Sequence, residues 1–299
     1  MRQKLNLIAF LALVAGLVVF FHNYPNKTSS PQQRQVSILE TLTVPPQFED
    51  KNLFLTAIKL SKTEAADKKI TGITVPHHLL AKDLIADAFK YASKTKPKKI
   101  LLLSPDHFNL GQSNISVSQS DFSTVFGLIT TDSQAAQALL KLKFVHAQDF
   151  FYREHGLGAL LPFIKYYFPD SPIIALTFKE STPKAELDEM VKRLKTVIDQ
   201  ETLIIQSTDF SHYLTAETAA VKDQSTLEVL QSRDEKKLFN LNQSDNLDSI
   251  ASQYVQMRLQ NELFSSNLKI LAHKNSQDYT IEKLISTTSY IVQIYERAK

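Results

Sequence analysis

Histidine is the side chain in this 299-residue sequence whose placement most suggests chemistry. Neutral imidazole is the commonest metal ligand near neutral pH and serves equally well as a general base. Of the eight histidines, four come just after apolar runs of strand length. His77 and His78 follow Ile73-Thr74-Val75-Pro76, His107 follows Ile100–Leu103 and the turn Ser104-Pro105-Asp106, and His212 follows Thr202–Ser207. One histidine at a strand end is more often structural than a ligand; three strands ending this way point to a shared site. His155 follows no strand but stands beside Glu154 just ahead of a helix. His146 and His273 lack such settings and read as structural or exposed. The carboxylates near these turns are Asp106, Glu154, Asp209 and Asp248. Two histidines plus one carboxylate with open positions make the usual non-haem iron arrangement, and catalytic zinc also keeps an open position. Spacing leaves open which carboxylate reaches the imidazoles.

The elements that must position these residues start with Ile70–Gly111. Two apolar runs there flank Leu80, Leu84, Ile85, Ala88 and Phe89, which recur at helical spacing. This strand–helix–strand unit predicts two parallel neighbouring strands, with both histidine turns at one carboxyl edge. Open α/β sheets place their ligand sites at that edge. Beyond it the pattern predicts strands at Asn114–Val117, Phe126–Thr130, Ile173–Phe178, Thr202–Ser207, Leu268–Ala272 and Thr288–Tyr295. Helices are predicted at Ser133–Leu142, Leu157–Phe168, Lys184–Asp199, Ala219–Leu230 and Leu247–Phe264, with a short amphipathic one within Phe48–Lys62. The fold class is α/β, with a mixed, mostly parallel central sheet flanked by helices.

Composition removes several alternatives. There is no cysteine, hence no disulfide framework, thiolate site or cysteine nucleophile. The six glycines form neither a dinucleotide fingerprint nor a P-loop. No G-x-S-x-G elbow occurs, and the cluster Ser207, Asp209, Ser211 and His212 is too local to read as a triad. Without Arg2 and Lys4, 32 basic residues face 31 acidic ones, so no basic face for nucleic acid is expected.

At the N-terminus, Arg2 and Lys4 precede an apolar run from Leu5 to Phe21. That is at the lower limit for spanning a bilayer, about 17–25 residues, and long for a cleavable signal, roughly 7–15. Residues 1–24 are read as a signal anchor, with a cleaved signal peptide as the alternative. Residues 25–47, rich in Pro, Ser, Thr and Gln, form a flexible tether, and residues 48–299 form one α/β domain.

The motifs together resemble a known family. Val75-Pro76-His77, Ser104-Pro105-Asp106-His107, Glu154-His155 with Leu160-Leu161-Pro162-Phe163, and Ser207-Thr208-Asp209-Phe210-Ser211-His212-Tyr213 are similar, in order, to those of Memo-like proteins, called in bacteria AmmeMemoRadiSam system protein B. The resemblance implies a fold like that of class III extradiol (LigB-type) dioxygenases. It implies that His77 and His107 bind a divalent metal, with iron the first choice and copper or zinc the alternatives. It also makes His212 a third pocket histidine, with Glu154 and His155 beside it. Where the family commonly carries cysteine, this chain has Asp248-Ser249, so Asp248 is the expected third ligand. His212, with His155 and Glu154, is expected to supply acid–base catalysis. The function expected is a metal-dependent oxidoreductase acting on a small-molecule or peptide ligand. A surface-displayed binding module and a metal-dependent hydrolase are the alternatives.

The positive flank predicts that the N-terminal end stays inside and residues 25–299 lie outside. The full-length protein is expected in the membrane fraction with residues 1–24 retained. N-terminal sequencing that finds a mature start near residue 25 would replace the anchor with a secreted domain.

Overall fold

Unbroken apolar runs suit strands buried on both faces, which need helices above and below them. A computed structural model describes residues 43–282 and 285–298 and has this layered form. Its strands are β1 (Thr43–Val44), β2 (Ile70–Val75), β3 (Lys99–Pro105), β4 (Ile115–Val117), β5 (Asp121–Thr124), β6 (Gly127–Ile129), β7 (Val145–Ala147), β8 (Ile173–Phe178), β9 (Thr202–Ser207), β10 (Ser266–Asn275) and β11 (Ser289–Arg297). Eight of them form one sheet in the order β10-β11-β2-β9-β3-β8-β4-β7, and β1-β5-β6 form a small second sheet. β2, β9, β3 and β8 run parallel, whereas β10, β11 and β4 introduce antiparallel pairs. The sheet is mixed and mostly parallel at its centre, as the pattern predicts.

Alternation along each strand feeds two cores. Ile73, Val75, Ile100, Leu102, Leu203 and Ile205 face one side, where Leu84, Ile85, Phe89 and Phe163 cover them. Leu101, Leu103, Ile174, Leu176 and Ile204 face the other, against Leu187, Met190, Leu194 and Val255.

The expected pairing of β2 with β3 is not found. β9 lies between them and is parallel to both. The crossover from β2 to β3 skips one position, and the chain fills it after the helix Lys184–Val197. Since all three strands run the same way, both histidine turns still leave the same edge.

Some element boundaries also move. The predicted helix Leu157–Phe168 is split into His155–Gly158 and Leu161–Tyr167, with Pro162 in the first turn of the second, because proline starts helices and interrupts them. The predicted helix Leu247–Phe264 starts at Ile250, where the Ser249 side chain caps it by accepting from the Ser252 N–H, and ends in a π-turn over Gln260–Phe264. Thr43–Val44, read as tether, pair with Asp121–Phe122. The run Leu5–Phe21 lies outside the described residues, and among those described no helix is long and apolar enough to cross a membrane.

Gly72 shows how closely the helix from Ile250 seats on the sheet. A Cβ there would lie 2.3 Å from Gln260 Nε2 and 2.6 Å from Gln256 Nε2. Gln260 is not free to retreat: it donates to the Thr71 carbonyl and accepts from the Thr71 hydroxyl. Gly72→Ala is therefore expected to lower stability by about 1–3 kcal/mol, the usual range for overpacking. Urea unfolding measures this, and a midpoint equal to that of the parent would show that the glutamines yield.

Candidate metal centre

The parallel strands β2, β9 and β3 deliver three turns to one edge of the sheet. Thr208 N–H donates to the Val75 carbonyl, so β9 runs on beside the end of β2. The His77 backbone N–H then donates to Asp209 Oδ1 at 3.0 Å, which fixes the turn after β2 to the turn after β9.

His77 is buried, and its ring Nδ1 lies 3.0 Å from Ser207 Oγ. The single Ser207 hydroxyl proton is already committed to the Gly156 carbonyl at 2.5 Å. The serine oxygen must therefore accept, His77 Nδ1 carries the proton, and Nε2 presents its lone pair. That lone pair faces Asp248 Oδ2 at 3.3 Å and Asp209 Oδ2 at 3.6 Å.

His107 is oriented in the same way by a different acceptor. Its Nδ1 lies 2.5 Å from Glu154 Oε1, and its backbone N–H donates to Glu154 Oε2 at 3.0 Å. Glu154 is completely buried and accepts a third bond from the Gly156 N–H. This carboxylate stands behind His107, away from the open face, and serves to aim Nε2 at Asp248 Oδ2, 3.6 Å away. A Cβ at Gly156 would sit 2.4 Å from Ser104 Oγ, so only glycine lets this turn press against the end of β3.

His155, at the start of the same short helix, completes a three-histidine cluster. Its ring centroid is 4.1 Å from that of His107 and 5.1 Å from that of His77. One nitrogen from each of the three lies within 4.8 Å of the others, close enough to share an ion. His212 approaches from the turn after β9, with Nε2 4.0 Å from Asp209 Oδ2. Its Nδ1 is buried and has no hydrogen-bond partner among the described residues, as is also true of Asp248 Oδ1. His107, His212 and Asp248 all line one cleft of about 210 Å³.

Charge follows from these contacts. Burial works against a cationic His107, but Asp248 and Glu154 outweigh it and raise its pKa to about 10. Burial and the neighbouring His107 charge push His77 well below the ordinary histidine value. Burial lowers His155 and His212 as well. Asp209 is raised by burial and by the adjacent Asp248 carboxylate.

The other candidates lie elsewhere or do other work. Asp106 accepts from the Leu110 and Gly111 N–H groups and shapes its own loop. His78 stacks on Tyr290, whose hydroxyl lies 3.1 Å from its Nδ1. His146 is exposed, and His273 pairs with Asp223 at 2.8 Å. Ser211 donates its hydroxyl proton to Asp223 and not to His212. Ser207 as the acceptor behind His77 was not recognised from sequence, although its position at the end of a buried strand, two residues before an aspartate, was visible.

The chain is similar to known proteins in sequence and in fold. The family model described as Memo-like protein matches residues 47–292. A MEMO1 family protein of Caldivirga maquilingensis is 26% identical over 239 residues, which is 74% of this chain and 81% of that protein. One from Methanopyrus kandleri is 24% identical over 190 residues, 61% of this chain and 67% of the relative. The crystal structure of an uncharacterized protein from Escherichia coli K12 superposes with a TM-score of 0.50 at 14% identity, covering 75% of this chain and 99% of that one, and it shows the shared fold. This chain belongs to the Memo-like family.

Proposed function

We propose that His77, His107 and Asp248 hold a divalent metal ion and that the cleft beside them takes an organic ligand for metal-dependent redox chemistry. The observation that carries this is a convergence of electron pairs. Each imidazole has its Nδ1 proton committed, to Ser207 and to Glu154, and both Nε2 atoms face the same oxygen of Asp248. Lone pairs meeting in a buried space repel unless something positive lies among them. Ligands about 2.1 Å from one tetrahedral ion are about 3.4 Å apart, close to the 3.3 and 3.6 Å found. The unpartnered Asp248 Oδ1 fits a carboxylate that is short of a cation.

Two imidazoles and a carboxylate favour iron, and His155 offers a third imidazole that would suit zinc or copper. Bound there, the ion would supply charge stabilisation and, if iron or copper, electron transfer. The chain's own contribution is orientation and proton handling. Ser207 and Glu154 fix the tautomers of His77 and His107, which raises ligand basicity. His212, held neutral by burial and lining the cleft, is suited to exchange a proton with a ligand there. The membrane-anchored position outside the cytoplasm belongs to the same proposal and rests on the composition of residues 1–24.

In the metal-free protein the same space is filled by the proton on His107, so metal uptake should release it. Affinity is expected to rise with pH from about 6.5 to about 10, and calorimetry in buffers of different ionisation enthalpy should show proton release. Because the folded pKa of His107 is raised, its contribution to metal-free stability is complete below about 6.5 and is lost as pH rises through about 10. A metal affinity independent of pH across that window would remove the cationic His107 from the account.

His77→Ala and His107→Ala are each expected to abolish metal retention, and Asp248→Asn to weaken it, with far-UV circular dichroism unchanged. His212→Ala should retain the metal and lose turnover by roughly 10²–10⁴-fold. Metal content of the purified variants separates these roles. Loss of metal from His212→Ala makes His212 a ligand, and a parent that holds no metal leaves a binding module in place of an enzyme.

A further inference from the structure

The cleft beside the metal centre has a charge character of its own. Although the whole chain carries a net charge of +3, the cleft lining includes Asp106, Glu180 and Asp248 and no lysine or arginine. Asp106 is occupied by its own loop, and Asp248 faces the imidazoles. Glu180 has no hydrogen bond or ion pair among the described residues. It lies two residues beyond Phe178, which pairs with Pro105, and His107 lies two residues beyond Pro105. Glu180 and His107 thus each lie two residues past the last pair of β3 with β8, at the same edge of the sheet.

The same lining carries a second unusual residue. Tyr213 has a φ of 60° and is 82% exposed. A bulky residue seldom adopts the left-handed region. Of the five non-glycine residues with positive φ among those described, Asn109, Tyr213 and Ser244 all line this cleft. Such backbone strain collects where function sets the geometry. The Asp248 side chain in the same lining is only 9% exposed, with its Oδ1 unpartnered.

An aromatic ring and a free carboxylate in one cleft lining favour a compact organic cation, which gains from both the ring quadrupole and the charge. Beside Glu180 an anion meets like charge, and the lining offers no lysine or arginine to offset it. Building on the metal reading above, we propose that this cleft selects a small amine with an oxygen chelating group at its other end. The ammonium group lies between Glu180 and Tyr213, and the oxygen donors reach the metal centre.

Three length-matched chelators test this on the metal-loaded full chain by calorimetry: 3-aminopropionohydroxamate (cationic), butyrohydroxamate (neutral) and succinic acid monohydroxamate (anionic). The cationic probe is expected to bind at least 10-fold more tightly than the anionic one. Glu180→Gln should shrink that ratio to threefold or less and Glu180→Lys should invert it, with metal content unchanged in both. Tyr213→Leu should weaken the cationic probe several-fold and leave the neutral one alone. Three probes of equal affinity, or a preference that survives Glu180→Lys, overturns the selection while the metal reading stands. Metal is quantified in every sample before the probe is added, so a parent without metal overturns both readings and is recognised as that different failure.

Discussion

The buried carboxylate of Glu154 is the constraint on which the rest of the site depends. A fully buried carboxylate is tolerable only when donors surround it, and here three do: the His107 N–H, the His107 ring and the Gly156 N–H. Meeting that demand fixes the turn after β3 against the start of the helix His155–Gly158. The same turn then presents the Gly156 carbonyl to Ser207, which sets the tautomer of His77. One acid, without touching the open face, therefore determines which nitrogen each of two imidazoles presents.

A second constraint lies under the sheet, where the helix Ile250–Leu259 is buried almost all round. It brings Gln253 into a buried amide network with Gln206, Gln293 and Tyr295, joined to Thr74 and Thr208. Buried amides are stabilising only when satisfied, and such a network specifies the register of helix on sheet more sharply than apolar packing does. Asp248 lies just before this helix and Ser249 caps it, so helix register places the carboxylate opposite the imidazoles of His77 and His107.

Much of this was legible in the sequence, and what was not has physical reasons. Buried strands such as β2, β8 and β9 announce themselves as apolar runs, and the histidines at their ends pointed to one edge. The order of strands did not follow, because a right-handed crossover is satisfied equally by adjacent strands and by strands with a gap between them. β1, β5 and β7, two to four residues long, escaped because none of them contains an apolar run. Asp248 was named through family resemblance and not by spacing, since its approach depends on a helix packed from far along the chain. The role of Glu154 was the least legible: its neighbour His155 was visible, but only burial and three donors distinguish an orienting acid from a reacting one.

The insertion of β9 between β2 and β3 has a consequence for the life history of the protein. His77, Ser207 and Asp248 come from distant stretches of chain, and the middle strand of the edge is the last of the three to be synthesised. On the ribosome, a chain that has emerged only as far as β8 lacks the strand that aligns the two histidine turns, as well as the carboxylate they face. Before β9 and the segment carrying Asp248 have been made, the growing chain offers an ion only the imidazoles of His77, His107 and His155, without the carboxylate that they face in the finished fold.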